Sequence, residues 1–251
     1  MLSRSRQKYF NSLKNKKFRD EYGVFVAEGD RLVRDLISHF EVRSLVAKQS
    51  WIEENSRILT GLACEIVDVT ADEMGKISML NTPSAVYGVF DRRPQSVNLS
   101  SDIVLALDTI QDPGNLGTII RTADWFGVHQ ILCSYETADV YNPKVVQSTM
   151  GAIARVNLCY CNLADVLKKM HNEGWKIYGT FLNGESLYET QIEKNGVVIV
   201  MGNEGNGISE SLSQLVDNRL LIPSFPTNTP TSESLNVSIA TAIILSEFRR
   251  P

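Results

Sequence analysis

Three short segments concentrate the residue types that bind ligands or move protons. The first, LDTIQDPGNLGTIIRTADWFG at 107–127, passes from an apolar run through a turn into a helix. Asp112-Pro113-Gly114 forms the turn, Asn115 is a favourable helix N-cap, and Leu116, Ile119, Ile120 and Ala123 supply the buried stripe. Gly117 and Arg121, four apart, share a different face. Arg121 has two readings at this point. It forms a surface ion pair with Asp124, worth a few tenths of a kcal/mol, or its guanidinium serves a ligand.

The second segment, VVIVMGNEGNGIS at 197–209, is a buried strand that ends in Gly202, Gly205 and Gly207. Glycines after a strand permit close backbone approach to a ligand, or simply a tight turn. The order G-x-x-G-x-G is not the dinucleotide fingerprint G-x-G-x-x-G, and Glu204 within the turn would repel a pyrophosphate. A nicotinamide-dependent dehydrogenase is thereby disfavoured, and a nucleoside without phosphates, such as S-adenosylmethionine with its positive sulfonium, fits better. The third segment, IPSFPTNTPTSESLNVSIATAIILSEFRR at 222–250, predicts a helix capped by Ser234 and apolar almost all round. Such a helix must be buried on most sides, against its own domain and a second subunit. Asn236 and Ser238 in its first turns are polar exceptions that need partners, a ligand being one.

Other chemistries find no support. Cys64, Cys133, Cys159 and Cys161 are scattered, without a tetrahedral metal pattern, and alternation in NLCYC puts Cys159 and Cys161 on one face as buried, reduced thiols. His39, His129 and His171 lie far apart in sequence, with no metal spacing or nucleophile motif nearby. We expect no metal and no disulfide framework.

The three segments must be positioned by strands and helices, and the pattern supplies them in two α/β units. Residues 1–93 alternate β-rich runs (YGVFVAEG, EVRSLVAK, CEIVDVT, AVYGVF) with helical stretches (GDRLVRDLISHF, ADEMGKISML). A polar, proline-containing linker, DRRPQSVNLSS, follows, with the boundary placed near 94–101. The second unit, 101–251, opens with DIVLALDTI and continues through HQILCS, VNLCYC, KIYGTFL, GVVIVMGN and NRLLIP. Helical stretches such as NPKVVQSTMGAI and LADVLKKMHNEG separate them. Near-continuous apolar strands joined by helices predict a parallel sheet, whose ligands bind beyond the carboxyl ends of the strands. The three segments lie at such ends.

The formal net charge of -4 argues against a protein that coats nucleic acid by bulk electrostatics. Its distribution is uneven. Residues 1–93 carry 15 Lys and Arg against 13 Asp and Glu, and residues 94–251 carry 10 against 16. Arg4, Arg6, Lys8, Lys14, Lys16, Lys17 and Arg19 cluster in the first twenty residues, with Tyr9 and Phe10 among them, as a solvated helix face or a phosphate-contacting arm. No apolar run reaches the ~20 residues of a membrane span, and the basic N-terminus lacks a secretory signal, so a cytoplasmic protein without a membrane role is expected.

Taken together, N-x-G-x-x-x-R at 115–121, M-G-N-E-G-x-G at 201–207 and I-P…S-L-N-V-S at 222–238 occur in a specific order and spacing. The set resembles the SpoU or TrmH family of RNA 2'-O-ribose methyltransferases, within the SPOUT superfamily, over about residues 101–251. The first unit, with YGVFVAEGDRLVRDLI, is similar to the family's small ribosomal-protein-like substrate-binding domain. The resemblance implies an α/β fold with a C-terminal parallel-sheet domain containing a deep trefoil knot. Periodicity alone leads instead to an ordinary doubly wound sheet, since knots are essentially absent from most folds.

The resemblance further implies S-adenosylmethionine as methyl donor, a homodimer with the site at its interface, and RNA as partner, ribosomal RNA ahead of transfer RNA. It assigns Asn115 and Arg121 to the catalytic end, with Glu204, Asn236 and Ser238 as polar neighbours, and implies cofactor contacts from Gly202, Ile222 and Leu235. A binding protein that recognises RNA without catalysis is the competing reading, and the intact Asn115, Arg121, Glu204 and Asn236 count against it. One departure is the stretch SFPTNTPTSE at 224–233, longer and richer in Pro and Thr than the family's short connection beside the cofactor.

Overall fold

The computed structural model describes residues 2–98, 101–226, 232 and 234–251. The chain divides into two compact units, one comprising Met1–Pro94 with Tyr141–Ala154 and the other Gln95–Val140 with Arg155–Pro251.

The first unit begins with α1 (Arg4–Ser12) and α2 (Lys16–Tyr22), capped by the side chains of Ser3 and Asn15. Gly23, at φ +66°, ends α2 in the left-handed conformation that glycine adopts without steric cost. Then come β1 (Val24–Glu28), α3 (Asp30–Ile37), β2 (Val42–Ala47), α4 (Gln49–Glu54), α5 (Ser56–Leu59), β3 (Glu65–Asp68), α6 (Ala71–Ile77) and β4 (Val86–Asp91). The sheet order is β1-β4-β2-β3, with β4 antiparallel to both neighbours and β2 parallel to β3.

Several cations of the N-terminal stretch are paired within this unit. Arg6 pairs with Glu65 and Lys16 with Asp20, while buried Arg19 donates to the carbonyls of Leu13 and Lys14. Lys14 donates to the Ser78 carbonyl. Phe10 sits in the core and partly buried Tyr9 packs against it. Arg4, Arg6, Lys8, Lys14, Lys16 and Lys17 are all exposed, and only Arg19 is buried.

The second unit contains β5 (Ile103–Leu107), α7 (Pro113–Trp125) and β6 (Gln130–Cys133). After β6 the chain crosses into the first unit as α8 (Pro143–Thr149) and a 3₁₀ turn. There Val145, Val146 and Thr149 are buried, and the Tyr141 ring lies 5.0 Å from that of Phe25. The chain returns as β7 (Asn157–Tyr160), α9 (Leu163–Asn172), β8 (Lys176–Ser186), β9 (Val197–Met201), α10 (Glu210–Ser213), β10 (Asn218–Leu221) and α11 (Val237–Phe248). The six strands are ordered β10-β8-β9-β5-β6-β7 and every pairing is parallel.

The two central strands are buried along their whole length, as runs covered on both faces must be. Their register sets Leu107 opposite Met201. The segments that follow these residues therefore leave the sheet side by side. Cys159, and partly buried Cys161, belong to the core under α9; burial pushes the Cys161 thiol up to about 11.

Asp217, just before β10, accepts from the Ile177 amide at 2.8 Å and sits 3.0 Å from His171 Nε2 on α9, tying three elements together. Partial burial raises its carboxyl pKa, but the amide and the imidazole outweigh that and hold it below the usual range. The unfolded chain then binds more protons than the folded one. The contribution is complete above the unfolded pKa of about 3.9 and fades as pH falls through the lower folded value. Asp217→Asn should melt below wild type at pH 7, and the gap should close toward pH 3; a gap independent of pH in thermal melts would contradict this.

Candidate functional site

Beyond β5, Asp108 is buried and accepts from the Ser209 amide at 2.7 Å. The chain turns at Thr109 and enters α7 through Asp112 and Pro113. Asp112, not Asn115, is the N-cap: its side chain accepts from the Asn115 amide at 2.8 Å, with Pro113 preset at the first helical position. The expected cap thus lies inside the helix. That shift leaves the Asn115 carboxamide uncommitted to its own backbone.

The glycine turn after β9 brings it a partner. A Cβ at Gly202 would lie 2.3 Å from the Gly207 carbonyl carbon, so no other residue fits where the backbone doubles back. Asn203 and Gly207 exchange amide-to-carbonyl bonds of 3.0 and 2.8 Å, closing a five-residue loop that carries Glu204. Asn115 Nδ2 donates to Glu204 Oε1 at 2.8 Å.

Asn236 supplies the third corner. It is the N-cap of α11, its Oδ1 accepting from the Ser238 and Ile239 amides and, at 2.6 Å, from the Ser238 hydroxyl. Ser234, the expected cap, stands two residues upstream because the helix begins only at Val237. Asn236 Nδ2 donates to Asn115 Oδ1 at 3.0 Å and to Glu204 Oε1 at 2.8 Å, and the Val237 amide donates to the same oxygen at 3.2 Å. Three side chains from three separate segments close a triangle. The carboxylate faces the first turns of α7 and α11, where the helix dipoles favour negative charge. Glu204 Oε2 has no hydrogen-bond partner among the described residues.

Ser238 is buried and acts on Asn236 rather than on the open face of the triangle. Arg121 stands apart. Six residues after Asn115 on α7, it lies about 9 Å along the helix and about 120° around it. It is exposed and makes no hydrogen bond or ion pair among the described residues. The Asp124 partnership read from spacing does not form: Asp124 takes Arg155 instead, with both carboxylate oxygens within 3.0 Å of the guanidinium.

Beside the triangle opens a cavity of about 420 Å³, lined by the backbone of the glycine turn, by Ile222, Leu235 and Val237, and by Thr180 and Phe181 of β8. Gly202, Ile222 and Leu235 therefore all border it. Glu204 is the only charged residue among the described lining residues. Apolar walls, backbone polar groups and one carboxylate suit an uncharged ring with a positive centre and disfavour phosphates. S-adenosylmethionine fits that description.

Thr180, Phe181 and Asn203 were not singled out from sequence. The first two lie inside β8, within the run KIYGTFL read as a strand, where no sequence signal set them apart from core residues. Of the stretch 224–233, residues 227–231 and 233 lie outside the described residues. Among the described residues no group of His, Cys, Asp and Glu could hold a metal ion, and no helix is long and apolar enough to cross a membrane.

Residues 102–246 match the SpoU rRNA Methylase family, and residues 5–88 match the MRM3-like substrate binding domain. The chain belongs to the SpoU rRNA methylase family. Among relatives, the 23S rRNA (guanosine(2553)-2'-O)-methyltransferase RlmP of Bacillus subtilis is 30% identical, with 96% of this chain and 95% of that protein aligned. A TrmH-family protein from Porphyromonas gingivalis superposes with TM-score 0.90 at 38% identity, covering 99% of this chain and 98% of the other. The AdoMet-bound rRNA methyltransferase from Sinorhizobium meliloti superposes with TM-score 0.87 at 29% identity, covering 99% and 96%. The SpoU family thus accounts for the parallel sheet, with a substrate-binding domain ahead of it.

The corrected cap is testable. Asn236→Ala removes the acceptor for two α11 amides and should cost about 1 kcal/mol or more in denaturant unfolding, whereas Ser234→Ala should be neutral. Equal losses would restore Ser234 as the cap.

Proposed function

We propose that this chain transfers the methyl group of S-adenosylmethionine to a ribose 2'-hydroxyl of ribosomal RNA. The observation that carries this reading is the triangle of Asn115, Glu204 and Asn236 at the rim of a cavity whose described lining has no cationic side chain. The names of RlmP and of the Sinorhizobium enzyme supply the RNA class and the donor. Transfer RNA is the second choice of substrate. The match of residues 5–88 to the MRM3-like substrate binding domain supports residues 1–93 as the part that selects it, followed by the methyltransferase domain at 101–251. The reading includes the family's knot near the C-terminus and a cytoplasmic protein.

When bound, the cofactor supplies an electrophilic methyl on a positive sulfonium. The cavity walls at Gly202, Ile222 and Leu235 hold the adenosine by backbone and apolar contact. The Glu204 carboxylate, charge-opposite to the sulfonium, stabilises that end of the pocket. Asn115 and Asn236 fix the carboxylate so that its unpartnered oxygen can accept a hydrogen bond from the 2'-hydroxyl. Transfer would form the O–CH3 bond and break the S–CH3 bond, leaving S-adenosylhomocysteine, and the 2'-hydroxyl proton would pass to the Glu204 carboxylate that accepts its hydrogen bond. Arginine, with a pKa above about 12, is a poor base, so Arg121 stabilises the developing alkoxide.

Arg121 lies on another face of α7 from Asn115 and has no partner among the described residues. A homodimer that delivers Arg121 to the partner subunit's site reconciles this placement with its role. The half-exposed apolar Leu235 and Ile239 around the start of α11 are consistent with a covered face.

Incubation with labelled cofactor and separated ribosomal and transfer RNA, followed by mapping of 2'-O-methyl positions, should find them in ribosomal RNA. Cofactor binding without methylation of either RNA would favour the non-catalytic reading. Arg121→Ala should lower methyl transfer by roughly 100-fold or more with cofactor affinity nearly intact. A mixture of Arg121→Ala and Glu204→Gln subunits should regain activity, because a mixed dimer holds one complete site. A silent mixture would sink the composite site.

A further inference from the structure

We propose that Asn203 is a positioning residue: its carboxamide ties the loop that carries Glu204 to the end of β5, and so holds Glu204 in register with Asn115 and Asn236. This rests on the reading of that triangle as part of the methyl-transfer site.

Asn203 makes two kinds of contact. Its Oδ1 accepts from the Gly205 and Asn206 amides at 2.8 and 3.2 Å, a local turn that shapes the loop. Its Nδ2 donates to the Thr109 carbonyl at 2.8 Å, a bond between residues 94 apart in sequence. The first kind gives the loop its form. The second decides where the loop stands.

The anchor is a specialised one. Thr109 has φ +60°, a left-handed conformation in which a β-branched residue is a steric outlier. Surrounding groups hold it there: its amide donates to Ser134 Oγ at 3.0 Å and its hydroxyl to Asp108 Oδ1 at 3.1 Å. Asp108 in turn binds the Ser209 amide beyond the loop. Thr109 also begins the short path to Asp112 and Asn115. One bond from Asn203 therefore couples the Glu204 loop to the segment that delivers Asn115.

The two kinds of contact can be separated in the full-length protein. In Asn203→Ser a hydroxyl can still serve the turn amides but is too short to reach Thr109. At saturating cofactor, single-turnover methyl transfer to the RNA that wild type modifies should fall about 10- to 100-fold, as expected for a small misplacement of a site group. Affinity for S-adenosylhomocysteine should change less than about threefold and the melting temperature little. The double variant Asn203→Ser, Glu204→Gln should be no slower than Glu204→Gln alone, because Asn203 acts through Glu204. A full rate in Asn203→Ser, or losses that multiply in the double variant, would overturn the proposal.

A readout independent of the reaction separates this outcome from failure of the functional reading. The Val237 amide is bonded to Glu204 Oε1 and lies far along the chain from Asn203. Its hydrogen exchange should speed up in Asn203→Ser even if wild type methylates no RNA. Unchanged exchange refutes the positioning role.

Discussion

The site depends on the parallel pairing of β5 with β9. Both strands are buried on both faces, so their register cannot slip without moving every apolar side chain to the wrong environment. Because the pairing is parallel, the two chains emerge from the same edge, with Leu107 beside Met201. Everything polar that follows is built on that coincidence: Asp108 reaches Ser209, Asn203 reaches Thr109, and Asn115 reaches Glu204. An antiparallel pair would have placed the motif segments at opposite ends of the sheet.

Glu204 is exposed, so water can solvate its charge, and its protein donors fix where the carboxylate stands rather than offset a burial cost. Glu204 Oε1 obtains one donor from Asn115 and two from the start of α11, the Asn236 carboxamide and the Val237 amide. Capping and site assembly use different atoms of the same residue, since Asn236 Oδ1 serves its helix while Nδ2 serves the triangle. An aspartate in that place would still cap, but would set a second negative charge against Glu204.

Much of the frame was legible in the sequence. Each β-rich run became a strand, and the apolar stripe of α7 is buried at Leu116, Ile119, Ile120 and Ala123. The ordered motifs pointed to Asn115, Glu204 and Asn236, which the fold brings together. What failed were assignments that depend on one-residue choices. Asp112 and Asn115 are both good caps, and Pro113 decides between them by fitting only the first turn. Ser234 lost to Asn236 because the helix starts later than its apolar pattern suggests. Arg121 and Asp124 have the spacing of a surface pair, yet Arg155, from outside that helix, offers a better fork. The role of Asn203 was hidden because its partner is a backbone carbonyl in another segment, which no side-chain pattern records.

The crossover after β6 carries a consequence for how this protein can be divided. The first unit has no single boundary in the sequence: it is completed by residues 141–154, which the chain reaches only after it has begun the second sheet. A fragment cut at the linker would leave β1 without α8, and a fragment beginning after the linker would carry Val145, Val146 and Ile153 with nothing to cover them. Exposed apolar groups of that size invite aggregation. The two units are therefore modular in architecture but not in synthesis or inheritance. A recombination event at the linker would sever an interior, and any exchange of the first unit must carry with it a helix encoded in the middle of the second.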